Sequence, residues 1–245
     1  MIFSPKVKYE ERTYRNLISK DNLQSYKVVI AQSDLFISSD VNLAVTAERA
    51  LINHRSLLEN YIKKNQHFLT SLAPLPLDNL APPIVRDMLE KSALAGVGPM
   101  ASVAGAVAEF VGKDISDYAQ TLIIENGGDI FLKAKDNLTV SVFAGESPLS
   151  YKVNFVVEPE KTPLGICTSS ATVGPSISFG KADAVCVISK STTLADAAAS
   201  AIGNNVKSKN DIEKALHFGM QIKGILGIII IIGKEMGVIG DVKLI

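Results

Sequence analysis

Near the C-terminus, Ile225–Ile232 holds seven large aliphatic side chains and one glycine, bounded by Gly224 and Gly233. A bilayer span needs about twenty such residues, so this run is too short to cross a membrane. It is also too apolar to turn either face to water. It therefore reads as a strand buried on both faces, and Val238–Leu244, beyond Gly233–Gly237, reads as the returning arm of a terminal hairpin. A second apolar stretch, Ala93–Val111, is broken by Gly96, Gly98, Pro99, Gly105 and Glu109, which removes it as a span too. No membrane partner is expected.

The core that such a strand demands must be aliphatic, since 47% of the residues are hydrophobic while Trp is absent and aromatics make up only 6%. This surplus of aliphatic residues also makes a homodimer an expectation. The 25 basic and 25 acidic residues cancel, and no basic stripe with interleaved aromatics occurs, so no nucleic-acid partner is expected. The start, Met1–Pro5, lacks the pattern of a secretory signal. The expected location is cytoplasmic, with Cys167 and Cys186 reduced.

The 245 residues contain no evident linker and are expected to form a single domain, 1–245. Short runs at Val7–Tyr9, Arg12–Ile18, Tyr26–Ala31 and Leu35–Ser38 suggest a hairpin or meander. Asp40 is placed to cap a helix over Leu43–Lys64, in which His54 would lie on the surface, and His67 at its end. Four prolines make Leu72–Pro83 an extended connection. Helices are expected over Pro83–Ser92 and, with Gly96–Met100 at its start, on to about Val111; in the second, Ala101, Gly105, Ala108 and Gly112 share a face small enough for close backbone approach. Strands follow at Thr121–Glu125, Ile130–Ala134, Leu138–Ala144, Tyr151–Val157, Leu164–Cys167 and Ala184–Ser189, then helices at Thr193–Ile202 and Ile212–Phe218. The irregular alternation predicts an α+β fold with a mixed sheet.

Three segments could carry chemistry. In Asn126-Gly127-Gly128-Asp129 the glycines allow a bare backbone to approach a ligand, with Asn126 and Asp129 flanking it, although Asn-Gly and Gly-Asp also make ordinary hairpin turns. In Gly165–Ser176, Thr168, Ser169 and Ser170 follow Cys167; hydroxyls and free amides can cradle phosphate oxygens, and a plain solvated loop is the simpler account. Cys167 itself is either a nucleophilic thiolate or a small buried apolar residue. Asp196 and Ser200, four apart on one helix face, offer hard oxygens to Mg2+. The competing and locally preferred account makes Thr193 and Asp196 a capping box.

The order of these segments resembles the ApbE-like superfamily of FAD:protein FMN transferases. The resemblance rests on the glycine-bearing stretch Gly96–Gly112, Gly127-Gly128-Asp129, Thr168-Ser169-Ser170 and Ala195–Ser200. A shorter cytoplasmic branch is matched more closely, through Asn126–Ile130, Cys167–Ser170 and Ser178–Ala184. It implies an ApbE-like fold in which Asp196 and Ser200 hold Mg2+ against a dinucleotide pyrophosphate. Asn126, Gly127, Gly128, Thr168, Ser169 and Ser170 would then line a site for FAD or a related nucleotide, with Asp129 and Cys167 as reacting groups. The transferases' His-Ile-x-Asp-Pro motif has no counterpart, and Pro175 stands where the shorter branch often carries His. A role suggested for that branch, sulfur handling in homocysteine synthesis, would make Cys167 the reactive thiol. A non-catalytic binding protein is the third expectation.

Overall fold

The computed structural model describes residues 23–170 and 180–245. The runs Val7–Tyr9 and Arg12–Ile18, and residues 171–179 including Pro175, Ser176 and Ser178, lie outside the described residues. In chain order the elements are β1 (Gln24–Ile30), β2 (Ser33–Ser39), α1 (Ala44–Lys64), α2 (Gln66–Thr70), α3 (Pro83–Ala95), α4 (Val103–Ile115), β3 (Leu122–Asn126), β4 (Asp129–Lys133), β5 (Leu138–Ser141), β6 (Asn154–Val157), β7 (Leu164–Ser169), β8 (Ala184–Ser189), α5 (Thr192–Asn204), α6 (Ile212–Met220), β9 (Ile225–Ile232), β10 (Glu235–Gly240) and β11 (Lys243–Leu244).

The α+β class holds, and its β-structure resolves into two sheets. Eight strands run in the order β1-β2-β3-β4-β7-β8-β9-β10, and a smaller sheet runs β11-β6-β5. Every described neighbouring pair is antiparallel. Helices cover one face of the large sheet: Leu35, Ile37, Leu122, Ile124 and Phe131 pack with α1, α3 and α4, while Cys167, Val185 and Val187 pack with α5 and α6. The small sheet covers the other face through Leu138, Phe155 and Val157, set against Ile123, Leu132, Ile166 and Cys186.

The aliphatic run in β9 is buried as its composition demands: Ile228 and Ile230 join the helix-side core, Ile229 and Ile231 the opposite one, all at 0% exposure. Its returning arm is shorter than the sequence suggests. β10 ends at Gly240, whose left-handed backbone (φ 86°) turns the chain, and β11 leaves the large sheet to pair with β6.

Several local expectations shift for physical reasons. Asp40 does not cap α1: its carboxylate accepts the Gln120 and Thr121 amides (3.1–3.2 Å), tying the strand-to-helix connection to β3. His54 is buried rather than on the surface, with Nε2 2.8 Å from Asp114 Oδ2 and its ring edge-on to Phe110, whereas His67 is exposed. α3 continues to Ala95, where Gly96 (φ 75°) supplies the left-handed stop. A tight turn at Pro99–Ser102 then leads into α4, so Ala101 precedes the helix. The small-residue face does what its composition allows. A methyl at Gly105 would lie 2.5 Å from Thr192 O and 2.7 Å from Asp196 Cβ, and one at Gly112 would meet the Phe131 ring. No single helix among the described residues is long and apolar enough to cross a membrane.

Candidate functional site

The site lies on the helix-covered face of the large sheet, at the end where β3 turns into β4. Gly127 (φ 71°) and Gly128 (φ 104°) form a two-residue turn in which both central residues are left-handed, a backbone that L side chains resist. The buried Glu125 closes it by accepting the Gly128 amide at 2.8 Å. Gly128 O in turn accepts the Thr168 amide (3.2 Å), so the turn is sewn to the end of β7. Asn126 donates from Nδ2 to Ala104 O (3.0 Å), which docks the start of α4 onto the same corner.

Strand alternation decides which members of the Cys167–Ser170 group face that corner. Asp129 pairs with Cys167, and both face the helices; Ser169 follows two residues later on the same side, 3.5 Å from where a methyl at Gly203 would sit. The Thr168 side chain points the other way and hydrogen-bonds the Cys186 thiol, so only its backbone belongs to the corner. The two cysteines lie on opposite faces, and both are free. Cys167 is fully buried and donates to Thr192 O at 3.4 Å. Burial first, and then the Asp129 and Asp196 carboxylates, push its thiol well above the ordinary range. Cys186 is pushed up to about 12 by burial.

α5 brings the third group. Its N-cap is Ser191, whose side chain accepts the Leu194 amide, so Thr193 and Asp196 do not form the capping box that their spacing suggested. Asp196 reaches across to α4, accepting the Gly105 amide at 2.8 Å and also that of Ala104. Burial pushes its carboxyl up to about 7, against the opposing pull of those two amides. Thr193 turns to Glu109, a buried carboxylate that accepts the Thr193 amide (2.8 Å), the Thr193 hydroxyl (3.1 Å) and the Ser191 hydroxyl (2.9 Å) on one oxygen and Lys113 (2.6 Å) on the other. The two helices therefore exchange carboxylates, each holding the first turn of the other. Burial alone would raise Glu109, but Lys113, the Thr193 amide and Ser191 together hold it below the ordinary glutamate range.

The turn residues Asn126 and Asp129, the buried Cys167, the rim residue Ser169 and the start of α5 are thus brought together. Glu109 and the α4 amides were missed, although Glu109 is the only charge within Ala93–Val111 and so had to be paired inside the core. Asp196 and Ser200 are both partly exposed, and the Ser200 hydroxyl makes no hydrogen bond among the described residues. No group of three or more His, Cys, Asp or Glu that could hold a metal ion occurs among the described residues. One carboxylate and one hydroxyl fit an ion such as Mg2+, which keeps waters or phosphate oxygens as its other ligands; they do not fit a metal that needs an all-protein cage. A small cavity of about 20 Å3 lies between the two sheets, lined by Phe155, Leu164, Ile188 and Leu226, far too small for a nucleotide and remote from this corner.

Comparison with known proteins gives concordant results. Residues 15–240 match the family described as AbpE bacteria. A UPF0280 protein of Methanocaldococcus jannaschii is 41% identical over 222 residues, 88% of this chain and 90% of the relative. One from Methanosarcina acetivorans is 39% identical over 198 residues, covering 80% and 78%. Among solved structures, the apo flavinyl transferase ApbE of Pseudomonas stutzeri superposes with a TM-score of 0.56 at 13% identity, over 91% of this chain and 95% of the other. The flavin transferase ApbE of Vibrio cholerae gives 0.55 at 12%, over 89% and 96%. At such identities the likeness speaks for the fold alone.

Proposed function

This chain belongs to the family described as AbpE bacteria, and from that premise we propose that it binds FAD or a related dinucleotide with Mg2+ and acts on the bound pyrophosphate, as an FMN-group transferase would. The observation that carries the reading is the convergence of four chain segments on one corner of the sheet. They are the Gly127-Gly128 turn, the end of β7, the first turn of α4 and the Asp196–Ser200 face of α5.

Each group has a task that its surroundings support. Gly127 and Gly128 leave the turn without side chains, so a planar ring or a phosphate can approach the backbone closely. Ser169, the last residue of β7, and Ser170 just beyond it are partly exposed and supply hydroxyls to phosphate oxygens, and Thr168 contributes through its backbone. Asp196 and Ser200 would hold the divalent ion, which when bound supplies Lewis-acid stabilisation to a phosphoryl oxygen. Asp129, buried beside Cys167, is the candidate general base for an incoming hydroxyl. Cys167 acts here as packing: a thiol held protonated by burial and by two neighbouring carboxylates is the opposite of an activated nucleophile, which argues against the sulfur-handling reading.

The test is calorimetric titration of FAD into the chain with and without Mg2+. Submillimolar binding that requires the metal, and is lost in Asp196→Asn, is expected; binding indifferent to metal and to Asp196 would reduce the protein to a non-catalytic relative of the fold.

A further inference from the structure

We propose that Glu109 is a positioning residue for the cation site: it sets the rotation of α5 about its own axis and thereby the placement of the Asp196 and Ser200 oxygens. This inference rests on the reading of Asp196 and Ser200 given above, and it concerns a residue outside that site.

Thr193, Asp196 and Ser200 are spaced i, i+3 and i+7, so they form one stripe along α5. That stripe faces α4, with Thr193 against Glu109 and Asp196 against Gly105, which makes the two helices antiparallel neighbours. The upper end of the stripe is fixed chiefly by Glu109, through the Thr193 amide, the Thr193 hydroxyl and the Ser191 hydroxyl. Asp87 on α3 also reaches the Thr193 side chain, whereas the Thr193 amide and the Ser191 hydroxyl go to Glu109. The single Thr193 hydroxyl proton is all that Asp87 can take over when Glu109 is removed; the Thr193 amide and the Ser191 hydroxyl would lose their acceptor. Between the anchors the spacing is tight: Gly105 leaves no room for a methyl against Thr192 O, and a methyl at Gly165 would collide with Thr192 Cα. α5 can therefore neither roll nor slide while Glu109 holds its first turn. Without that hold the polar anchors left on the stripe are the Thr193 hydroxyl at Asp87 and Asp196 itself, whose carboxylate would then have to serve both the α4 amides and a cation.

The experiment titrates FAD, with and without Mn2+, into the wild-type chain, Glu109→Gln, Thr193→Val and Asp196→Asn, with urea unfolding and amide hydrogen exchange of α5 measured on the same samples. Glu109→Gln keeps the shape and removes the charge. It is expected to weaken the Mn2+-dependent part of FAD affinity about tenfold, as loss of groups that orient a ligand does, while metal-free FAD affinity is unchanged and α5 amides exchange faster. A merely structural loss would lower both affinities together, which would overturn the inference. A folded Glu109→Gln chain with wild-type metal dependence overturns it too, while leaving the function standing. Should Glu109→Gln fail to fold, Thr193→Val, which deletes one donor to Glu109 and keeps the amide, decides: about threefold weakening of the metal-dependent part supports the inference, on the scale of one hydrogen bond, and no change overturns it. If the wild type and Asp196→Asn show the same metal dependence, the reading of the site fails, and the positioning role with it.

Discussion

The first turns of α4 and α5 receive a carboxylate each from the other helix, and the two ends behave differently. At the α5 end, Glu109 is buried, meets a lysine and three donors, and stays below the ordinary glutamate range. At the α4 end, Asp196 receives two amides and, among the described residues, no cation, keeps some exposure, and is pushed up to about 7. One geometry thus yields a saturated anchor and an under-neutralised carboxylate. The difference lies in the positive charge nearby, and a carboxylate short of positive charge, with the Ser200 hydroxyl one turn further along α5, is what the proposed divalent ion would require.

The comparison breaks first at the anchor. Glu109→Ala strands the Ser191 and Thr193 donors in the core and should cost about 3 kcal/mol in urea unfolding; a loss below about 1 kcal/mol would mean that α5 is held by packing alone. Next comes the crossing point: Gly105→Val must displace Thr192 O and Asp196 Cβ, and overpacking of that kind costs about 1–3 kcal/mol together with the metal-dependent affinity. Asp196→Asn should change stability least, and pH sharpens the contrast. Because the folded pKa of Asp196 is raised, its contribution is present below the ordinary aspartate range of about 4 and is lost as pH rises through about 7. In EDTA, Asp196→Asn should therefore gain on the wild type between those limits and run parallel to it above. Glu109 has the opposite sign, its contribution being lost only as pH falls through its lowered value. Smallest of all, Cys167 should resist thiol reagents at neutral pH until the chain unfolds; rapid labelling of the native protein would return the thiol to the list of reacting groups.

Much of this was legible in the residues. β9 declared itself because seven aliphatic residues and one glycine between flanking glycines are too few for a span and too apolar to face water, and the Gly-Gly turn because both central residues need positive φ. The segments that carry the ApbE-like motifs do meet at one corner. Side-chain direction was not legible at the same level. Thr193 and Asp196 have the spacing of a capping box, yet both reach a neighbouring helix, since Ser191 already caps α5 and α4 offers unpaired amides within reach. Thr168 could be sent to the far face only once the strand's register was known. Asp40 and His54 were misread for the same reason: their partners, Thr121 and Asp114, are distant in sequence and become neighbours only through the fold.

The most direct measurement is a crystal of the chain grown with FAD and Mn2+, examined by anomalous scattering. The expected result is a manganese peak liganded by Asp196 and Ser200, with the FAD pyrophosphate beside it and the Gly127-Gly128 turn against the ligand. A manganese or flavin bound elsewhere, with Asp196 still engaged only with the α4 amides, would contradict it.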